Sequence, residues 1–71
     1  NVYPNPSKGT FKIEGNNIRN VEIIDVFGQV VYSKEIASDN YQIDLSNCAS
    51  GTYLLRVVTD NGIMTKQLIK E

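Results

Sequence analysis

Apolar and polar positions alternate along most of this chain, in short segments separated by glycine, asparagine and proline. Phe11 and Ile13 share one face of the segment 10–14, and a period of two recurs after each turn signal. Alternation is typical of strands with one buried face, and evenly spaced turns indicate a small sandwich or barrel. The pattern therefore predicts seven antiparallel strands, at residues 2–3, 10–14, 21–26, 30–34, 41–45, 52–59 and 63–70.

We expect these strands to form one immunoglobulin-like β-sandwich over residues 1–71, an all-β fold with almost no helix. The segment 52–59 is the longest and most apolar, so we place it centrally. One face of each strand has to be buried, because a shift by one residue would turn its apolar side chains to solvent. The predicted core comprises Phe11, Ile13, Val21, Ile23, Val30, Ile43, Leu45, Tyr53, Leu55 and Val57.

Two glycines are predicted to adopt positive φ angles, which glycine does without steric cost. Gly28 closes the tight bend between two predicted strands. Gly51 ends a single helical turn that we expect over 46–50, with Ser46 as its cap.

The closing hairpin has two possible registers. If Asn61-Gly62 forms a two-residue turn, Val57 pairs with Lys66 and both lysines of the last strand share the face of the core. If residues 60–62 form a three-residue loop with a bulge, Ile69 joins the core and both lysines face outward. We favour the second register, because it leaves the lysines in solvent and places an apolar side chain inside.

The net charge is -1, and the seven basic and eight acidic residues are spread singly along the 71 positions. We therefore expect neither a basic face for nucleic acid nor an electrostatic membrane anchor. No apolar run is long enough to span a membrane, and we expect any export signal to lie upstream of these residues. Because the first residue is Asn1 rather than methionine, we expect the chain to be the end of a longer protein.

Catalytic and metal-binding arrangements are nearly absent. There is no histidine to activate a nucleophile, and we interpret the single cysteine, Cys48, as filling a small apolar slot. Asp25, Asp39, Asp44 and Asp60 lack the spacing of a calcium loop, and we interpret the three beside turns as turn residues. We therefore expect no enzyme activity, no cofactor and no metal.

The four tyrosines permit two interpretations. Tyr3, Tyr32, Tyr41 and Tyr53 could line a platform for sugars, as aromatic residues do in carbohydrate-binding modules. They could instead be half-buried in their strands, with hydroxyls bonded to backbone or water. We favour the second interpretation, because the chain has no tryptophan and each tyrosine lies in a predicted strand.

Four motifs occur in order along the chain. They are Tyr3-Pro4-Asn5-Pro6 with Gly9 and Phe11; Val21–Asp25 followed by Gly28–Val31; Ile43–Ser46 followed by Gly51-Thr52-Tyr53; and Lys66–Lys70 at the end. Together they resemble the type A C-terminal sorting domain of the type IX secretion system of Bacteroidota, over essentially the whole chain. Cys48 departs from the family, in which an apolar residue such as leucine is commoner at this position, and we expect it to keep the packing role.

The resemblance implies that the domain is the last part of an exported cargo protein. Members are recognised in the periplasm and direct passage through the outer-membrane translocon. A sortase-like surface peptidase then usually removes the domain, and the cargo is attached to a surface lipopolysaccharide or released. The resemblance thus implies a folded signal and no catalyst, with the translocon, the peptidase and the upstream cargo domain as partners.

We expect the translocon to recognise the last strand, because a sheet edge offers main-chain groups for strand addition. The candidate residues are Lys66, Leu68, Ile69 and Lys70. The lysines could instead only protect this edge against aggregation. A competing hypothesis for the whole domain is a small immunoglobulin-like or carbohydrate-binding accessory module of an extracellular enzyme, which requires an exposed row of aromatic side chains.

Overall fold

The computed structural model of the protein describes residues 2–71. It contains five strands, β1 (Val2–Tyr3), β2 (Thr10–Ile24), β3 (Val30–Asp44), β4 (Gly51–Thr59) and β5 (Gly62–Lys70). All paired strands run antiparallel, which confirms the predicted all-β antiparallel class. Residues 2–71 include no helix, and hence none that could cross a membrane.

A single sheet is built around β2. β3 follows one edge of β2 along its length. The other edge is shared, since β1 pairs with residues 12–13 of β2 and β4 pairs with residues 18–24. β5 pairs with the outer edge of β4, so β4 is central, as predicted. A parallel bridge between Ser7 and Lys70 joins the two ends of this strand order, so the sheet is curled around its apolar face.

The predicted number of strands was wrong, and the predicted sandwich is replaced by one curled sheet. The segments 15–17 and 38–40, predicted as breaks, lie inside β2 and β3. The β2–β3 ladder shifts register there, and Asn17 has a positive φ of 54°. Asparagine tolerates this conformation better than most residues, and bulges bend a strand without ending it. Two pairs of predicted strands are therefore continuous.

Nine of the ten predicted core residues are buried, and the exception is Val30, which is 54% exposed. Val30 pairs with Ile24 just after another register shift in the ladder, which turns its side chain to the outer face. Two core residues were missed, Ile18 and Leu68, both fully buried. The register shifts around Ile18 bring this even-numbered position onto the same face as Ile13.

The favoured register of the closing hairpin was also wrong. Thr59 pairs with Gly62, so the loop contains only residues 60–61. Val57 pairs with Met64, two residues before the partner that the two-residue alternative predicted. The hydroxyl of Thr59 accepts a hydrogen bond from the amide of residue 61 and donates one to the carbonyl of Gly62. The two loop residues are therefore 60–61 and not 61–62, the Asn-Gly pair that the sequence indicated.

Candidate functional site at the last strand

The opening motif lies along the outer edge of β5. The Asn5 amide nitrogen donates to the carbonyl of Gln67 at 2.7 Å, and its amide oxygen accepts from the N–H of Ile69 at 3.0 Å. The peptide bonds before Pro4 and Pro6 are both cis. A proline has no N–H for a ladder. The side chain of Asn5 therefore supplies the donor and acceptor that a paired strand would otherwise supply from its backbone.

The backbone of Ser7 extends this pairing. Its N–H donates to the carbonyl of Ile69 at 3.0 Å, and its carbonyl accepts from the N–H of Glu71 at 2.8 Å. Asn5 and Ser7 thus cover the second half of the β5 edge. We call this arrangement the latch, meaning the hydrogen bonds of Asn5 and Ser7 to residues 67–71. It joins the two ends of the described chain.

Gly9 and Phe11 position the latch against the rest of the fold. Gly9 is buried with a φ of 151°, and its carbonyl accepts from the N–H of Leu45 at 2.7 Å. A Cβ atom at this position would lie 3.0 Å from the Cα of Ser46. Phe11 is fully buried in the core. Gly9 therefore fixes the opening motif against the backbone of Leu45 and Ser46, and Phe11 fixes it in the core.

The four candidate recognition residues of the last strand differ in face and in exposure. Lys66, Leu68 and Lys70 share one face of β5, and Ile69 lies on the other, because side chains alternate along a strand paired without a register shift. Lys66 is exposed and Ile69 is 42% exposed, whereas Leu68 is fully buried and Lys70 is 9% exposed. The ammonium group of Lys70 donates to the carbonyls of Cys48 and Ser46. The prediction that both lysines lie on the outward face is therefore wrong, because both share the face of Leu68. Lys66 nevertheless stays exposed, whereas Lys70 is buried against the turn carbonyls that it satisfies.

The turn before β4 is held by other groups than predicted. The helical turn predicted over 46–50, with Ser46 as its cap, is wrong, because these residues form a turn without a helix. The N–H of Ser46 donates to the carboxylate of Asp44 at 2.9 Å. Hydrogen bonds from Ser46 hold the pKa of the Asp44 carboxyl below its usual range. The positive φ angles predicted for Gly28 and Gly51 are confirmed, at 83° and 147°.

Three of the four tyrosines pack as the favoured interpretation predicted. Tyr53 is 8% exposed, and its hydroxyl donates to the carbonyl of Ala49 at 2.6 Å. Tyr32 and Tyr41 are half-buried and hydrogen-bonded to each other through their hydroxyls. Burial and this bond raise the pKa of Tyr32 to about 12. Only Tyr3 is substantially exposed, at 41%, so the tyrosines form no exposed aromatic row.

The aspartates serve the backbone and ion pairs. Asp25 accepts from the N–H groups of Phe27 and Gln29, as predicted for a turn residue. Asp39 instead accepts from a distant backbone N–H, and Asp60 pairs with an arginine on β2. Across residues 2–71, no three His, Cys, Asp or Glu side chains are grouped so that they could hold a metal ion. Cys48 is half-buried and packs against the core.

Sequence reasoning missed the role of Asn5 and Ser7 as partners of β5. The available signal was a polar side chain between two prolines, which themselves have no N–H to donate to a neighbouring strand. The pairing joins positions more than 60 apart, with a separation of 62 between Asn5 and Gln67. No local pattern specifies such a partner.

The fold and this edge were compared with known proteins. The family model described as a secretion system C-terminal sorting domain matches residues 1–71, the whole chain. A search of curated proteins found no match. The resemblance carried by the four motifs is therefore confirmed. The chain belongs to the C-terminal sorting domains of the type IX secretion system, and it is a sorting signal for secretion.

Proposed function

We propose that this domain directs an upstream cargo protein from the periplasm through the outer-membrane translocon of the type IX system. A sortase-like surface peptidase then removes the domain, and the cargo is anchored at the cell surface or released. Membership in a family of secretion sorting domains supports this proposal. In it, the domain is a folded signal of 71 residues that is read by other proteins and catalyses nothing itself.

The observation that carries the recognition site is the exposure of Lys66 and Ile69, on opposite faces of a strand whose second half is held by β4 and by the latch. Leu68 anchors the strand in the core, and Lys70 binds the turn carbonyls of Ser46 and Cys48. We propose that Lys66 and Ile69 contact the translocon, while Leu68 and Lys70 hold the strand in position. A cationic and an apolar side chain on one rigid element give a receptor both charge and shape to recognise.

Deletion of residues from Gly62 onward should strand the cargo in the periplasm of a type IX-secreting bacterium. The cargo should be present in cell fractions and absent from the surface and the medium. Because the deletion also removes Leu68 from the core, it tests the domain as a whole. Normal export after the deletion would contradict the sorting function.

A double variant tests the recognition surface while the strand remains in place. Lys66→Glu with Ile69→Glu should stop export, because it reverses the charge and removes the apolar side chain. The matched control is Lys34→Glu with Val31→Glu on β3, where Lys34 is exposed and Val31 is 41% exposed. Equal export of the two double variants would rule out β5 as the surface that is read.

A further inference from the structure

The outer edge of β5 is covered along only half of its length. The latch bonds reach the C=O of Gln67 and both backbone groups of Ile69. In an antiparallel ladder, the backbone groups of alternate residues point to opposite sides. The β4–β5 register has no shift, so Ile63 and Thr65 also direct their N–H and C=O groups away from β4. Among residues 2–71, no strand lies beside this first half.

A groove of about 210 Å³ opens on the core side of this uncovered half. Its walls include Met64 on one side and the β2 residues Ile13 and Ile18 on the other, with Val57 also lining it. Met64 is 38% exposed, although it lies on the same face of β5 as the buried Leu68. The latch thus closes the curled sheet beside the second half of β5. Beside the first half, the groove leaves the core side of the sheet accessible.

We infer that the first half of β5 is the docking site for an extended strand of the secretion machinery, an inference that rests on the proposed function. The incoming strand pairs with the backbone of Ile63 and Thr65, continuing the edge that the latch begins. Opposite Met64 it carries an apolar side chain, which fills the groove. Two residues along, opposite Lys66, it carries a carboxylate, since Lys66 is the only charged side chain of residues 62–66.

This half-edge fits strand addition better than the long outer edge of β3. The β3 ladder is interrupted by register shifts, which bend the strand away from a flat partner. Lys34, Glu35 and Asp39 place charges of both signs along it. The uncovered half of β5 pairs with β4 without a register shift. It borders a groove whose lining combines apolar side chains such as Met64 with polar ones such as Glu14 and Asn16. Main-chain pairing with one pocket for a side chain is the usual form of strand recognition.

The test introduces proline at an outward N–H in the full-length precursor. Thr65→Pro removes a donor that β4 does not use, and edge strands tolerate proline at such positions. Its control, Thr65→Val, keeps the N–H and the branched shape. Secretion of the Thr65→Pro precursor should fall about tenfold relative to Thr65→Val, the size expected for one lost hydrogen bond and a blocked edge. Limited proteolysis of both precursors reports whether the domain is folded.

If Thr65→Pro precursor is folded and exported like the control, the docking site is wrong, whereas the sorting function stands as long as the Gly62 deletion still blocks export. If Thr65→Pro unfolds the domain, the test is a comparison of Met64→Glu with its control Met64→Leu. Met64→Glu places a charge in the groove without altering the backbone. Export of Met64→Glu at the level of Met64→Leu then overturns the inference.

Two other occupants of the edge would also overturn it. If residues that precede Val2 in the precursor fill the groove, Thr65→Pro makes the domain of the free precursor more sensitive to protease while secretion per folded molecule is unchanged. If a second copy fills it, the precursor is a dimer by light scattering, and Thr65→Pro converts it to a monomer.

Discussion

Gly9 shows how closely two backbone segments approach in this domain. The absence of a side chain there lets the chain pass Ser46, whose Cα would lie 3.0 Å from a Cβ atom at position 9. Gly51 has a similar φ angle, 147° against 151° for Gly9, but a Cβ atom added to Gly51 would meet nothing within 4 Å. The two glycines therefore separate the cost of backbone strain from the cost of a steric clash.

Alanine at Gly51 should lower the free energy of unfolding by about 1–3 kcal/mol, the range for a residue held at an unfavourable φ. Alanine at Gly9 should cost more, because the backbone of Ser46 has to shift as well. Urea unfolding of the two variants measures the difference. Equal losses would mean that the approach of Gly9 to Ser46 relaxes at no cost.

The hydrogen-bonded hydroxyls of Tyr32 and Tyr41 make the free energy of unfolding depend on pH in the alkaline range. The pKa of Tyr32 is raised to about 12 in the folded state, mainly by burial, whereas a tyrosine in an unfolded chain titrates near 10. The folded state thus holds this proton more tightly. Its contribution to stability is complete below pH of about 10 and is lost as the pH rises through about 12.

Tyr32→Phe should flatten this alkaline decline, because phenylalanine has no proton to lose. The measurement is the urea midpoint at several pH values between about 9 and 12 for both proteins. A decline of the same steepness in the variant would assign the alkaline sensitivity to other groups.

Within β5, neighbouring residues have opposite environments. Leu68 is fully buried and Ile69 is 42% exposed, because Tyr53 of β4 pairs with Leu68 and sets its face inward. Alternation alone did not decide this, since both residues are apolar. The register followed from the loop of residues 60–61, which the hydroxyl of Thr59 closes.

Alanine substitutions at these two positions test the register directly. Leu68→Ala should lower the free energy of unfolding by about 2–5 kcal/mol, as expected for a cavity in a core. Ile69→Ala should change it by about 0.5 kcal/mol or less, as for a surface position. A larger loss for Ile69→Ala than for Leu68→Ala, measured by urea unfolding, would instead support the register with a three-residue loop.

The two long strands bend where the sequence indicated breaks. Gly15-Asn16-Asn17 and Ser38-Asp39-Asn40 have the composition of loops, and each was predicted as one. The backbones face each other across the β2–β3 ladder, and the N–H of Asn17 donates to the carboxylate of Asp39 at 2.9 Å. Two loop-like segments that can pair with each other therefore continue both strands as a bulged ladder.

Closure of the domain depends on contacts between its two ends. A domain of this size buries only about 60% of the surface of its unfolded chain, so each closing contact is a large part of its stability. The latch sets Asn5 and Ser7 against residues 67–71. The motif at the start of the domain and the strand at its end are therefore one structural unit, although the chain between them forms the rest of the sheet.

Asn5→Ala should lower the free energy of unfolding by about 1–2 kcal/mol, because it removes two hydrogen bonds from the edge of β5. Asn16→Ala is the control, since Asn16 is also an asparagine on an exposed part of the sheet. Urea unfolding measures both. If the control loses as much stability as Asn5→Ala, the latch contributes nothing specific to closure.

The sequence by itself determined the all-β class, nine of the ten named core positions and the family. Each of these depends on local information, because period-two alternation decides which side chains a strand can bury and short motifs identify the family. Gly28 and Gly51 belong to the same group, since their positive φ angles follow from adjacent turns.

Only the tertiary structure decided the strand count, the closing register and the partners of the opening motif. Each depends on which backbones meet at long range. Asn5 finds β5 across 62 residues of sequence, and Lys70 turns inward because the carbonyls of Ser46 and Cys48 lie within its reach. A hydrogen bond between distant segments exists only when the whole sheet has curled, and neither segment carries a local sign of the other.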